Sequence, residues 1–157
     1  MNKTYYLGDL FEITSSKRIK MSDYVSSGIP FYRSKEIINL HKLKRIQTEL
    51  FISNSQFKKI KDTFGVPVQG DILLTSVGTL GIPYQVKEHD NFYFKDGNIT
   101  WFKNFSDKID KKYIYFWLIS KIAKRKLDEI TIGSTQKALT IEKLKKITIN
   151  LPSINEQ

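Results

Sequence analysis

The run Gly70-Asp71-Ile72-Leu73-Leu74-Thr75-Ser76-Val77-Gly78-Thr79-Leu80-Gly81-Ile82 constrains this chain more than any other. A buried strand, Ile72 to Leu74, stops in a run of Thr, Ser and Gly, and the chain then returns as an alternating segment through Ile82, Tyr84 and Val86. That pattern predicts a strand, a tight polar turn and a returning strand. Gly78 and Gly81 permit positive φ, and Thr75, Ser76 and Thr79 set small hydroxyls beside backbone that another molecule can approach closely. Two readings stand: an ordinary hairpin with a glycine-rich loop, or a binding loop.

The rest of the chain decides how that hairpin is housed. Its 157 residues suit one domain spanning 1–157, and 40% hydrophobic content is enough for a core. No repeat, low-complexity tract or Pro/Ser-rich linker divides it. Lys+Arg 26 against Asp+Glu 16 gives a net charge of +10, which attracts polyanions and nucleic acid first among them, although a merely soluble basic protein has the same balance. With no cysteine, disulfides, thiolate metal sites and cysteine nucleophiles are excluded. His41 and His89 lie far apart without ligand spacing, so neither a metal site nor a cofactor is expected. The segment from Met1 to Tyr6 carries no apolar signal region, and no apolar run approaches membrane-spanning length. A cytoplasmic location without membrane contact is the expectation.

In chain order, Leu7 to Ile13 predicts one helical turn with Asp9 capping it and Leu10, Phe11 and Ile13 facing inward. Thr14-Ser15-Ser16-Lys17-Arg18 follows as a polar basic loop, suited to phosphate contact or simply to solvent. Gly28 to Ile37 reads as a turn leading into a short strand, with period-two alternation placing Phe31 and Arg33 on one face. Arg33 then either pairs with an acid such as Glu36 or projects toward a ligand. Ser53-Asn54-Ser55-Gln56 fits a capping box opening a helix to about Ile60, with Phe57 and Ile60 inward. Asp96-Gly97 predicts a tight turn, after which the Asn98 amide either bonds locally or reads an adenine edge.

Asp110 to about Glu129 predicts one long helix. Ile114, Trp117, Leu118 and Ile122 recur at helical spacing as a core stripe, with Lys124, Arg125 and Lys126 near its end. Gly133 then breaks the chain, four polar residues follow, and Thr140 is placed to cap a short helix that carries Ile141 and Leu144 inward. Ile147 to Leu151 alternates as a strand stopped by Pro152. The whole predicts an α+β fold, a single compact domain with a twisted mixed β-sheet core and a few flanking helices.

Five segments in this order resemble the DNA-specificity subunit of type I restriction-modification systems, and one target-recognition domain of it in particular. They are Leu7-Gly8-Asp9; Phe31-Tyr32-Arg33 with Glu36-Ile37; Gly70 to Leu74 with Gly78-Thr79 and Gly81; Gly133-Ser134-Thr135-Gln136; and Ile149-Asn150-Leu151-Pro152 followed by Glu156-Gln157. The resemblance covers essentially the whole chain. It implies a non-catalytic reader of one half of a bipartite duplex DNA target. In that family two such domains are separated by long helices, modification subunits methylate adenine from S-adenosylmethionine, and a restriction subunit adds translocation and cleavage. The chain stops where the family's spacer helix would begin, so those partners would act through a longer parent, and the isolated domain is expected to be monomeric.

The sequence agrees in what it lacks. There is no Asn/Asp-Pro-Pro-Tyr/Phe segment for adenine methylation, no glycine loop ending in Lys-Ser/Thr and no acid cluster for metal-dependent nuclease chemistry. Residue chemistry, loop position and the resemblance together nominate Arg33, Thr75, Ser76, Thr79, Asn98 and Gln136 as base-reading candidates, with Arg33 and Gln136 foremost. Lys17, Arg18, Lys35, Ser134, Thr135 and Lys137 are the phosphate candidates, and binding through them should weaken steeply with salt. Two other readings are a recognition-domain fragment of a fused restriction-methyltransferase enzyme and a general RNA- or protein-binding adaptor.

Overall fold

The computed structural model describes residues 2–157; Met1, where the N-terminal segment read above begins, lies outside the described residues. The elements run β1 (Lys3–Tyr6), α1 (Leu7–Leu10), β2 (Glu12–Thr14), a 3-10 turn (Met21–Asp23), β3 (Ile29–Tyr32), α2 (Ser34–His41), β4 (Phe51–Ile52) and α3 (Asn54–Phe64). They continue with β5 (Ile72–Thr75), β6 (Pro83–Gln85), β7 (Tyr93–Phe94), β8 (Ile99–Lys103), α4 (Lys111–Leu118), α5 (Lys121–Glu129), α6 (Ile141–Lys145) and β9 (Thr148–Leu151). The α+β fold is as expected, with the β structure divided among three sheets. One is an antiparallel four-stranded sheet in the order β2-β8-β5-β6, one a mixed three-stranded sheet β4-β3-β7, and one the antiparallel pair β1-β9.

β5 is the centre. All four of its residues are buried, which is why it reads as an unbroken apolar run rather than an alternating one. Ile72 and Leu74 enter a cluster with Leu7, Leu10, Phe102, Ile114, Leu118 and Leu144, while Leu73 enters a second with Ile37, Phe94 and Trp101 on the other face. A third cluster forms where Phe57 and Ile60 of α3 pack on Phe31, Ile52 and Tyr93 of the mixed sheet. Asp71 secures the start of β5. It is buried, and its carboxylate accepts the Trp101 indole N–H at 2.9 Å and the Val68 N–H at 3.1 Å. Burial raises its pKa, partly offset by those two donors and by Lys111 and Lys103 nearby.

Several expectations hold in detail. Ser53 accepts from the Gln56 N–H at 3.1 Å, although the Gln56 side chain returns no bond to Ser53 and the capping box is only half formed; Thr140 accepts from the Lys143 N–H at 3.3 Å, and β5 and β6 pair antiparallel with Leu73 opposite Tyr84. α3 runs four residues beyond Ile60, to Phe64.

Others need correction. α1 carries no side-chain cap, since Tyr6 rather than Asp9 stands at its N-cap position. Arg33 does not continue the strand face of Phe31, because β3 ends at Tyr32 and Arg33 takes the N-cap position of α2, without a side-chain cap bond of its own. The long helix expected from Asp110 to Glu129 is two helices. Ser120 leaves helical geometry at ψ 159°, and its hydroxyl accepts from the Ala123 N–H at 3.2 Å, starting α5 afresh. The break turns Ala123 and Leu127 inward and leaves Ile122 63% exposed, so Ile122 is not a core residue. Leu118→Ala should therefore lower unfolding stability by about 2–5 kcal/mol, while Ile122→Ser should stay within about 0.5 kcal/mol of the parent; urea denaturation of both variants checks the pair.

Candidate nucleic-acid interface

The strand directions bring most of the nominated segments to one end of the sheets. Thr75 at the end of β5 lies opposite Ile99 at the start of β8, and Thr14 at the end of β2 lies opposite Trp101. β3 and β7 run parallel, with Tyr32 beside Phe94, and the Lys95 N–H donates to the Tyr32 carbonyl at 2.9 Å. The loops that follow β2, β3, β5 and β7 therefore share an edge.

Hydrogen bonds fasten those loops to one another. The Ser76 N–H donates to the Asn98 carbonyl at 2.9 Å, and the Ser76 carbonyl accepts from the Leu139 N–H at 2.9 Å. Val77 and Ala138 form an isolated antiparallel bridge, which brings the Ser134–Lys137 segment to the same edge. The Gly97 N–H donates to the Ser15 hydroxyl at 3.4 Å, adding the basic loop after β2. Within the β5–β6 loop, Thr75 Oγ1 accepts from the Ile82 N–H at 2.9 Å and the Thr75 carbonyl accepts from the Gly81 N–H at 2.7 Å. Gly78 and Gly81 take φ of 79° and 76°, the left-handed geometry this reversal requires.

The nominated side chains divide by exposure. Thr79, Ser134, Thr135, Gln136, Lys137, Lys17, Arg18 and Lys35 are exposed, and Asn98 is half-buried. The Asn98 amide makes no hydrogen bond among the described residues, so the local bond considered for it does not form. Ser134 Oγ donates to the Gln136 carbonyl at 2.5 Å and folds the loop tip over. The backbone N–H of Lys17 donates to the Tyr93 hydroxyl at 2.5 Å, and its ammonium stands 4.4 Å from the centre of the Phe64 ring.

Thr75 and Ser76 are corrected by burial: both are closed off from solvent. The Ser76 hydroxyl lies 2.6 Å from Thr100 Oγ1 and 3.1 Å from the Leu74 carbonyl. Their hydroxyls build the loop rather than face a ligand.

Arg33 takes the pairing alternative. Its Nη2 donates to Glu36 Oε1 at 2.6 Å and to Glu49 Oε2 at 2.8 Å, and its N–H donates to Glu36 Oε2 at 2.8 Å. Glu36 is buried, so this pair fixes both the start of α2 and the direction of the guanidinium, whose pKa Glu36 and then Glu49 raise. Glu49 also meets Lys35 at 2.7 Å, and the bonds from Lys35 and Arg33 hold its carboxyl down at about 2. Glu49 escaped the sequence reading because no local spacing links it to Arg33, 16 residues away.

A groove of about 890 Å³ lies elsewhere, along β6 toward the opposite end of the sheet, among Gly70, Val86, Lys87, Lys111 and Tyr115. None of the nominated residues lines it. The nominated edge is a set of projecting loops, a form suited to entering a groove on a partner.

Residues 2–157 match the family model of the type I restriction modification DNA specificity domain. The chain belongs to that family. This specificity domain is 36% identical over 158 residues to the putative type I restriction enzyme specificity subunit S.HindORF215P of Haemophilus influenzae, a match covering 100% of the chain and 38% of that protein. It is 28% identical over 159 residues to the type I restriction enzyme MjaVIII specificity subunit of Methanocaldococcus jannaschii, covering 96% of the chain and 36% of that protein. The chain thus spans little more than a third of the length of these relatives. Its fold matches the HsdS subunit from Thermoanaerobacter tengcongensis with a TM-score of 0.67 over 99% of the chain and 34% of that subunit, at 16% identity. It also matches, with a TM-score of 0.71 over 99% of the chain and 35% of the other, a chain from a structural study of type I R-M system assembly and conformational transition, again at 16% identity. At that identity the agreement is one of fold.

The buried hydroxyl pair allows a test of the specificity domain's loop scaffold. Ser76→Ala leaves Thr100 Oγ1 without its 2.6 Å partner and should cost roughly 1–3 kcal/mol of stability. Adding Thr100→Val removes the orphaned hydroxyl and should recover part of that loss in thermal or urea unfolding.

Proposed function

We propose that this specificity domain binds double-stranded DNA and reads one half of a bipartite target, without catalytic chemistry of its own. The observation that carries the reading is the convergence of loops from five parts of the chain on one edge, presenting Gln136, Thr79 and Asn98 among Lys17, Arg18, Lys35 and Lys137. Small polar side chains and amides can reach base edges in a groove, while flanking cations hold phosphates and set register. Thr135 adds a short phosphate donor beside Gln136, whereas the Ser134 hydroxyl, nominated for the same role, already gives its one proton to the Gln136 carbonyl. Arg33 is a base reader only through the part of its guanidinium that Glu36 does not hold.

Within a longer specificity subunit, the methyl-transferring and cleaving partners are separate modification and restriction subunits, and the isolated domain is monomeric. None of the described helices is long and apolar enough to cross a membrane.

Selection from a pool of random duplex DNA at two salt concentrations, with sequencing of the retained molecules, tests the reading. A short half-site should be enriched. Gln136→Ala should relax preference at one or two positions, each by roughly tenfold. Lys137→Ala should weaken all sequences alike and reduce the slope of log affinity against log salt by about 0.9. Retention without any enriched sequence would contradict the proposal.

A further inference from the structure

Glu49 stands where it controls the two cations nearest the end of β3. β3 and β4 are antiparallel, with Pro30 opposite Phe51 and the Phe31 N–H bonded to the Leu50 carbonyl, so Glu49 comes level with Tyr32. From there its two oxygens reach Arg33 Nη2 at 2.8 Å and Lys35 Nζ at 2.7 Å. The two acids on Arg33 differ in kind. Glu36 is buried, with its side chain 3% exposed, and bonds the Arg33 backbone as well as its side chain; Glu49 is 51% exposed and bonds only charged side-chain tips. Glu36 orients the guanidinium permanently, whereas Glu49 holds it through contacts that a competing anion can exchange.

Resting on the DNA-reading function proposed above, we propose that Glu49 is a specificity-determining residue: it occupies Arg33 and Lys35 in place of phosphate and so limits sequence-independent binding to DNA. A net charge of +10 attracts any duplex whatever its sequence, and discrimination requires that this background be held down. Exchanging the Glu49 carboxylate for a phosphate replaces one anion by another and gains little, so an ill-fitting duplex leaves the pairs intact. A fitting duplex engages the neighbouring loops at the same time, and those contacts draw Arg33 and Lys35 away from Glu49. As an exposed carboxylate further favoured by the bonds from Lys35 and Arg33, Glu49 is ionised near neutral pH.

The test compares Glu49→Gln with Glu88→Gln on a random-sequence duplex across a salt series. Glu88 follows β6 at the opposite end of the sheet and is exposed, so both changes remove one negative charge and only one unmasks Arg33 and Lys35. Glu49→Gln should tighten binding roughly threefold to tenfold and steepen the slope of log affinity against log salt by about 0.9 to 1.8, the signature of one or two new phosphate contacts. Glu88→Gln should leave the slope unchanged, and Lys35→Gln placed in the Glu49→Gln background should lower the slope by about 0.9, one phosphate contact. Equal slopes for the two single variants would reduce Glu49 to a contribution to net charge and overturn the proposal, as would weaker binding by Glu49→Gln. Absence of any preferred half-site in the parent would instead count against the DNA-reading function, because the slopes on random duplex are measured independently of it.

Discussion

Ser76 joins, through its main chain and its hydroxyl, regions of the protein that the sequence keeps far apart. Its N–H goes to Asn98, its carbonyl to Leu139, and its hydroxyl to Thr100, all within 2.6–2.9 Å. These bonds form in a buried setting where an unpaired polar group would be costly, so they favour one arrangement of the loops over the alternatives. β5 makes that setting possible. Its four residues are buried and deliver Ser76 to the edge with its partners already in place. Three loops at the reading edge therefore depend on the hydrophobic burial of one short strand, and their exposed tips can vary in side chain without disturbing the bonds beneath.

Local signals in the sequence recovered what local physics determines. Ser53 and Thr140 cap their helices, Gly81 closes the β5–β6 reversal, Phe57 and Ile60 face inward, and β9 stops before Pro152. What escaped depended on partners distant in sequence or on competition between neighbours. Ile122 fits a helical stripe drawn from Asp110, but the hydroxyl of Ser120 competes for the backbone and restarts the helix in another phase. β7 pairs with β3 in parallel across some sixty residues, a match no turn signal announces.

The candidate site was legible as a set of loops more than as a set of residues. Thr75 and Ser76 have the chemistry of surface readers, yet they follow a strand buried on both faces and inherit its burial. Arg33 was open to two readings from its sequence, and Glu36 three residues on gave the clue to pairing; Glu49 could come only from the structure. Gln136, Thr79 and Lys137 kept their nominated exposure because Gly133 and Gly78 place them on loop tips with no core to enter. Charge follows the same division. The excess of lysine and arginine is readable from composition, whereas which cations are already paired is a matter of tertiary geometry.

The claim that these loops form one DNA-facing edge is tested most directly by amide hydrogen exchange of the chain with and without a random-sequence duplex at low salt. The account predicts slowed exchange in residues 15–18, 76–82, 96–98 and 133–138 together, with little change at 86–89 and 111–112 along the far groove. Protection concentrated at the far groove, with the Ser76-linked loops unaffected, would contradict it.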